Sequence, residues 1–246
     1  MDITSEGMPV ASENAAKKVI YRQGSYFRAK RLLDIVISLL ALIALSPIFL
    51  LLAIIIKLDS RGPVLFRQTR VGARWVKKGE SYQWEREDFV CFKFRSMVNH
   101  AREEVHKNYV TALITNDEKT MQELQGDENT LHKLVHDDRI TRVGKFIRKS
   151  SLDETPQFFN VLRGDMSLVG PRPAIPYEVD LYSPRQLRRL QAKPGITGLQ
   201  QITARCTLDF DNQVNLDIMY IENQSLGMDL KILFLTPFAI FKQKGV

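Results

Sequence analysis

Between Asp34 and Lys57 run 22 residues without a charge, and a Ser-Pro pair, Ser46-Pro47, sits at their middle. No other feature restricts the fold so strongly. As a straight helix the run would extend about 33 Å, enough for a bilayer core of about 30 Å. A soluble buried helix is the ordinary alternative, but soluble helices of this length carry a polar face, and this stretch has none. The flanking charges separate the membrane readings. Lys17, Lys18, Arg22, Arg28, Lys30 and Arg31 precede the run, and Lys57, Arg61, Arg67, Arg70, Arg74, Lys77 and Lys78 follow it. A single crossing normally has its Lys/Arg excess on one side; here both ends favour the cytoplasmic face. Pro47 permits this, because it offers no N–H to the Ile43 carbonyl and its ring bends the helix. The Ser46 hydroxyl can satisfy freed backbone groups. The segment 30–58 is therefore expected to be a helix broken at Ser46-Pro47 that enters one leaflet and returns. A kinked single span is the competing reading.

The other 217 or so residues, out of 246, suffice for one real core. A formal net charge of +7 suits anionic partners: nucleic acid, acidic lipid or phosphorylated substrate. The two cysteines, Cys91 and Cys206, are far apart and in no metal or redox spacing, which fits a reducing compartment. Residues 1–29 read as a flexible polar tail, and 59–246 as a domain with a charged helical insertion at 99–137. Within 59–98, "DSRGPVLF" carries a turn signal and "DFVCFKFRSM" is rich in strand formers, so turns and short strands are expected. His132 and His136 are spaced i, i+4, but "HKLVH" lacks the glutamate of a zinc-protease helix. Solvated helix is the better reading there. "NLDIMYIENQSLGMDLKILFLTPFAIF" ends in an apolar stretch, expected to be a helix that packs on the domain or lies at a membrane interface. The fold class is α+β, mainly helical.

The chemistry concentrates after Ile140. Asp153-Glu154 is followed by Thr155-Pro156, and proline favours the first turn of a helix. Thr155 or Asp153 is then the candidate N-cap, and either places both carboxylates at the positive end of the helix dipole. On spacing alone, capping and catalysis both stand. The surroundings bear on the choice: Arg142, Lys145, Arg148, Lys149, Arg163 and Arg172 lie within 25 residues, and Lys93 and Arg95 sit in "FKFRSM". Such a density suits a site where a phosphate must approach a negative nucleophile, a task normally shared with Mg²⁺. A basic surface facing anionic lipid is the simpler account of part of it. In "GPRPAIP", Pro171 and Pro173 stiffen the backbone around Arg172, which suits bidentate phosphate binding.

"KRLLDIVISLLALIALSPIFLLLAIIIKLDSRGPVLFRQTRVG", "FKFRSM", "ITRVGKFIRKSSLDETPQFFNVLRGDMSLVGPRP" and "KPGITGLQQ", in this order, resemble the bacterial sugar transferase family, the monotopic phosphoglycosyl transferases. The resemblance runs from about Lys30 to the C-terminus. It implies transfer of a sugar 1-phosphate from a UDP-sugar to a polyprenyl phosphate such as undecaprenyl phosphate, initiating a polysaccharide or glycoconjugate. Asp153 would attack the sugar-bearing phosphate to give a phosphosugar aspartyl ester, and Glu154 would help place Mg²⁺. Lys93, Arg95, Arg148, Arg172 and Arg205 would contact phosphate or nucleotide. The re-entrant break would fall on Ser46 and Pro47, with the domain on the cytoplasmic face of the bacterial inner membrane. The sequence departs from the family at Leu199, Ala204 and Cys206, where a Trp, a Gly and an Asn are frequent, and at Thr155, where an apolar residue is usual. Besides the donor, the lipid acceptor and membrane phospholipid, a homo-oligomer is compatible with the sequence. An inactive membrane-anchored scaffold of the same fold is the alternative. A nucleic-acid binder is disfavoured, because the aromatics are not interleaved with the basic runs.

Overall fold

A computed structural model describes residues 13–79, 81–98, 104–115, 117, 119–120, 139–203 and 208–242. Helix α1, Glu13–Asp59, carries the apolar run and has Pro47 inside it. The anticipated gap between two arms is absent: helical structure is continuous through Ser46-Pro47. Pro47 leaves the Ile43 carbonyl without its N–H partner, and the Ser46 hydroxyl donates to that same carbonyl at 2.8 Å. This bond supplies a substitute at the one place where the helical ladder is missing a donor.

Two strands follow, β1 (Leu65–Lys78) and β2 (Ser81–Phe94), each 14 residues long. They pair antiparallel with Leu65 opposite Phe94 and Lys78 opposite Ser81. The short strands expected over 59–98 are thus a single long hairpin. Its outer end is held by aromatics: Trp75 lies opposite Trp84, and the Phe27 ring of α1 lies 5.6 and 5.7 Å from the two indoles. Cross-strand and edge-on aromatic pairs of this kind stabilise a ribbon that has no third strand.

Helix α2 (Glu104–Thr115) is the described part of the charged insertion; His132 and His136 lie outside the described residues. Then come α3 (Arg142–Lys149), a 3-10 turn at Leu152–Glu154, α4 (Gln157–Arg163) and β3 (Ser167–Val169). A short α5 (Pro176–Val179) and a 3-10 segment at Gln186–Leu190 lead to β4 (Gly195–Thr197), which pairs parallel with β3. Helices α6 (Leu199–Thr203), α7 (Phe210–Asn223) and α8 (Leu226–Lys242) complete the described chain. The architecture is mainly helical with two small two-stranded sheets, in agreement with the α+β expectation.

Both flanks of the apolar run dock on this one body. On the N-terminal side, Arg31 donates to the Val161 and Leu162 carbonyls at the end of α4. Asp34 accepts from the Ser167 hydroxyl and the Leu168 N–H, and Lys30 meets Asp229 of α8 at 2.9 Å. On the C-terminal side, Leu52 and Ile56 are buried against Phe94 and Ile147, and Asp59 accepts from the Val143 N–H. Between these attachments Leu39, Leu40, Ile43, Leu50 and Leu51 are exposed. The segment Gly24–Asp59 is long and apolar enough to cross a membrane. Helix α8 has a second apolar face: Ile232 is in the core, while Leu226, Leu230, Phe234 and Phe238, spaced by four, are exposed.

Candidate active site

Local rules place the acidic pair. Thr141 caps α3 by accepting from the Gly144 N–H at 2.9 Å. Gly144 is needed there because a Cβ would lie 2.0 Å from the Ser96 carbonyl oxygen. Past the end of α3, Ser151 has φ 56°, the one non-glycine positive φ among the described residues. Such a conformation costs of the order of 1–3 kcal/mol, and it turns the chain so that Leu152–Glu154 leaves α3 as a 3-10 turn. This corrects the capping expectation. The N-cap of α4 is Pro156, with no side-chain cap, and the Thr155 hydroxyl donates backwards to the Leu152 carbonyl at 2.7 Å. Asp153 and Glu154 sit one turn ahead of a seven-residue helix, in a geometry that leaves helix capping to neither.

Asn160 fixes α4 to the hairpin. It is fully buried, accepts from the Phe92 N–H at 3.0 Å and donates to the Val90 carbonyl at 2.7 Å. One side chain thus takes the backbone partners that a third strand would offer on either side of Cys91. The alternation of β2 then points Cys91 and Lys93 to the same face. Lys93 meets Glu154 at 2.7 Å, with both side chains about one-fifth exposed.

A third segment closes the site. Val71 of β1 donates to the Ala174 carbonyl and Arg70 to the Pro173 carbonyl, each at 2.8 Å. These bonds hold the Pro-Arg-Pro loop against the hairpin. On its other side Gly170 and Gly195 are in backbone contact: a Cβ on Gly195 would fall 2.1 Å from the Gly170 nitrogen. The result is a cleft of about 340 Å³, open to solvent, whose walls include Arg70, Cys91, Lys93, Glu154, Gln157 and Arg172. Gln201 reaches it from α6, with its carbonyl oxygen buried and unpartnered.

Charge in this cleft is not balanced locally. Burial pushes the Asp153 carboxyl above its ordinary value, Glu154 pushes it further, and Lys93 and Arg148 pull it back. Burial likewise raises the Cys91 thiol, so it is not a reactive thiolate. The Arg70 guanidinium is pushed down by burial and then by the charge of Arg172. The adjacent carboxylates of Asp153 and Glu154 suit an oxygen-seeking cation that completes its shell with substrate phosphate and water. Among the described residues no group of three His, Cys, Asp or Glu forms a dedicated metal cage.

Of the residues singled out from sequence, Lys93, Glu154 and Arg172 line the cleft, and Asp153 feels the charges of Glu154, Lys93 and Arg148. Arg148 is exposed at the end of α3. Arg95 goes elsewhere: its guanidinium donates to the Ile56 and Ser60 carbonyls and the Ser60 hydroxyl, closing the C-terminal end of α1. The strand ends at Phe94, so the alternation that aims Lys93 into the cleft does not carry over to Arg95. Arg205 lies outside the described residues. Arg70, Gln157, Gln201 and the bracket Asn160 are additions from the structure. None of the four had a sequence signal: the charges of "FRQTR", Arg67 and Arg70, are three apart and fall on opposite faces of a strand.

The bacterial sugar transferase family model matches residues 25–243. The undecaprenyl-phosphate galactose phosphotransferase of Salmonella typhimurium is 41% identical over 216 residues, covering 88% of this chain and 41% of the relative. The UDP-glucose:undecaprenyl-phosphate glucose-1-phosphate transferase of Klebsiella pneumoniae is 40% identical over 224 residues, again covering 88% of this chain and 41% of the relative. The exopolysaccharide production protein ExoY of Sinorhizobium fredii is 36% identical over 217 residues, 88% of this chain and 87% of the relative. The chain thus spans about two-fifths of the first two relatives and most of the third.

Proposed function

The chain belongs to the bacterial sugar transferase family, and from that premise we propose that it moves a sugar 1-phosphate from a UDP-sugar to undecaprenyl phosphate or a similar polyprenyl phosphate. The observation that carries this reading is the Lys93–Glu154 pair in the wall of a cleft that also holds Arg70 and Arg172, with the partly buried Asp153 next to Glu154 and under the charge of Lys93. Relatives named for transfer of galactose phosphate or glucose 1-phosphate to undecaprenyl phosphate support the substrate class.

In the proposed sequence an Asp153 carboxylate oxygen attacks the phosphorus that bears the sugar. The bond from that phosphorus to the bridging oxygen breaks, and UMP departs with the electron pair. A phosphate oxygen of the lipid then attacks the same phosphorus, the Asp153–phosphorus bond breaks, and the carboxylate is restored. Burial keeps Asp153 weakly solvated and therefore more nucleophilic once ionised. Lys93 holds Glu154 in place and lowers the repulsion that an incoming diphosphate meets. Asp153 and Glu154 are the residues that would hold Mg²⁺, which would supply neutralisation of phosphate charge.

The reading is tested without lipid. Wild-type protein given a UDP-sugar and Mg²⁺ should release about one equivalent of UMP and gain the mass of one sugar phosphate, as a covalent intermediate requires. Asp153→Asn should lose both, by at least about 10³-fold. Undiminished UMP release by Asp153→Asn would refute the assignment of the nucleophile.

The proposed membrane arrangement draws support from the same body. A span would carry its two ends to opposite faces, about 30 Å apart, whereas Lys30 and Asp59 are both tied to one folded unit. This supports re-entry at Ser46-Pro47, with residues 59–246 as a domain on the cytoplasmic face. The exposed stripe of α8 then faces the bilayer surface and its phospholipid. Cysteines placed at the exposed Arg28 and Arg61 should both be labelled from the cytoplasmic side; periplasmic labelling of either one would exclude re-entry.

A further inference from the structure

Arg70, like Arg95, is a buried guanidinium with an unpartnered nitrogen, but unlike Arg95 it lines the cleft. It is 8% exposed, and its hydrogen bonds go to neutral acceptors, the Pro173 carbonyl and the Gln68 side-chain carbonyl at 2.7 Å. Its Nε is buried without a hydrogen-bond partner. Among the described residues no carboxylate forms an ion pair with it. A buried, unpaired cation is costly, and placing it near a second arginine adds to the cost. Arg172 is that neighbour: exposed, stiffened between two prolines, and lining the same cleft. Glu178 and Glu154 act on Arg70 only through space, without an ion pair, so two guanidinium groups sharing one cleft keep capacity for an anion that is not part of the protein.

The cations in and around the cleft differ in how strongly they act on Asp153. Lys93 and Arg148 are the ones whose charge acts most on Asp153. Arg172 acts on Arg70, as do Glu178 and Glu154 with the opposite sign, and Lys93 joins the two arginines in acting on Cys91. The hairpin register sets the backbones of Lys93 and Arg70 apart, although both side chains line one cleft: Lys93 lies opposite Phe66 and Arg70 opposite Phe89. That is four residues along the ladder, about 13 Å at roughly 3.3 Å per residue. Displacement at phosphorus puts the attacking and leaving oxygens on opposite sides. Lys93 and Arg148 are therefore on the side of attack, and Arg70 and Arg172 are on the side of departure.

We infer that Arg70 and Arg172 form a two-guanidinium seat for the phosphate on the nucleotide side of the donor, taking up the charge of the departing UMP. This rests on the transfer reading above and adds the residue that sequence alone did not assign to the cleft. The same geometry gives the seat a second occupant. The lipid phosphate must enter opposite Asp153, where UMP left, so UMP and lipid acceptor compete for one place.

The test uses the whole protein in detergent, with UMP and inorganic pyrophosphate as calorimetric probes. Wild type should bind both. Arg70→Met should weaken UMP binding about 10- to 100-fold, the range for a hydrogen bond to a charged group. Arg172→Met should do likewise, and the double variant should lose less than the product of the two, because both residues hold one phosphate. UMP should also inhibit competitively against the lipid acceptor. If Arg70→Met does not fold, Arg70→Lys decides: lysine keeps the charge without the planar fork, so a threefold or greater loss supports the seat and an unchanged affinity overturns it. UMP binding within twofold of wild type in folded Arg70→Met, or wild type binding neither probe, also overturns it. The two ideas fail separately. Tight UMP binding that depends on Arg70, with no UMP release from any UDP-sugar, defeats the transfer reading alone; normal release with Arg70-independent UMP binding defeats the seat alone.

Discussion

The α1–α8 contact and the cleft both hold buried charge, and they do so in opposite ways. Where α1 meets α8, Lys30 and Asp229 pair at 2.9 Å, and the hydroxyls of Tyr26 and Tyr220 both donate to the same carboxylate. A second buried ion pair, Arg189 and Asp217 at 2.7 Å, is flanked by the rings of Tyr182 and Phe210, with Arg189 Nε left without a hydrogen bond. At the cleft, by contrast, Arg70 has no ion-pair partner among the described residues, although Glu178 and Glu154 act on it through space, and Asp153, next to the wall residue Glu154, is held above its ordinary pKa. Closed groups fix the relative placement of helices, because removing either member leaves an uncompensated charge. Open groups are an unfavourable state that an incoming molecule relieves. The difference separates scaffold from site more sharply than charge density does, since basic residues surround both.

The comparison breaks most visibly at the closed network. Asp229→Ala leaves Lys30 buried and unpaired, and should destabilise the fold by about 3–5 kcal/mol, seen as a large fall in the unfolding midpoint and release of α1 from α8. Adding Lys30→Met should recover much of the loss, because a well-packed apolar pair avoids desolvating two charges. No recovery would mean that Asp229 acts through the tyrosines rather than through the ion pair.

Removing an acid from the open group should have the reverse sign. The folded-state pKa of Asp153 is raised above its unfolded value, so its ionisation opposes folding. That cost is fully present above the folded pKa and disappears as pH falls through it. Asp153→Asn should therefore be inactive and yet more stable than wild type at neutral pH, by roughly 2–4 °C for each kcal/mol relieved. The advantage should vanish in acid. A variant less stable than wild type at neutral pH would mean that Asp153 is held by compensating bonds, like Asp229.

The smallest expected effect is in the pH profile. Single-turnover UMP release should fall on the acid side at a pH above the ordinary aspartate range of about 4, because only the ionised carboxylate attacks. Lys93→Met removes the cation that lowers this pKa most, and should move the limb of the residual activity higher still. A limb at or below the ordinary range would show that the cleft is wetter than its walls imply.

Much of this molecule is legible without coordinates. The apolar run, the Ser-Pro pair, the acidic dyad, the strand-forming character of 59–98 and the apolar last helix are all patterns within short windows, and windows are where periodicity and turn chemistry act. Element length was less accessible: two 14-residue strands looked like several short ones, because turn formers within the segment do not reveal how far a ribbon can be held by side chains from outside it. The cap of α4 was misplaced for a similar reason. Ser151 adopts a backbone conformation unusual for serine, and no local preference announces it.

What the sequence determined by itself, then, is which stretches avoid water and which carry the reacting acids, since both depend on residues next to one another. The tertiary structure decided which of many similar cations serves each role. Arg95 closes α1, Lys93 holds Glu154, and Arg70 waits in the cleft, tied to a carbonyl 103 residues away. Lys30 meets its partner across 199 residues. In sequence these are indistinguishable basic residues. Coulomb and hydrogen-bond energies fall off within a few ångströms of contact, so their assignment exists only once the chain has brought its distant parts together.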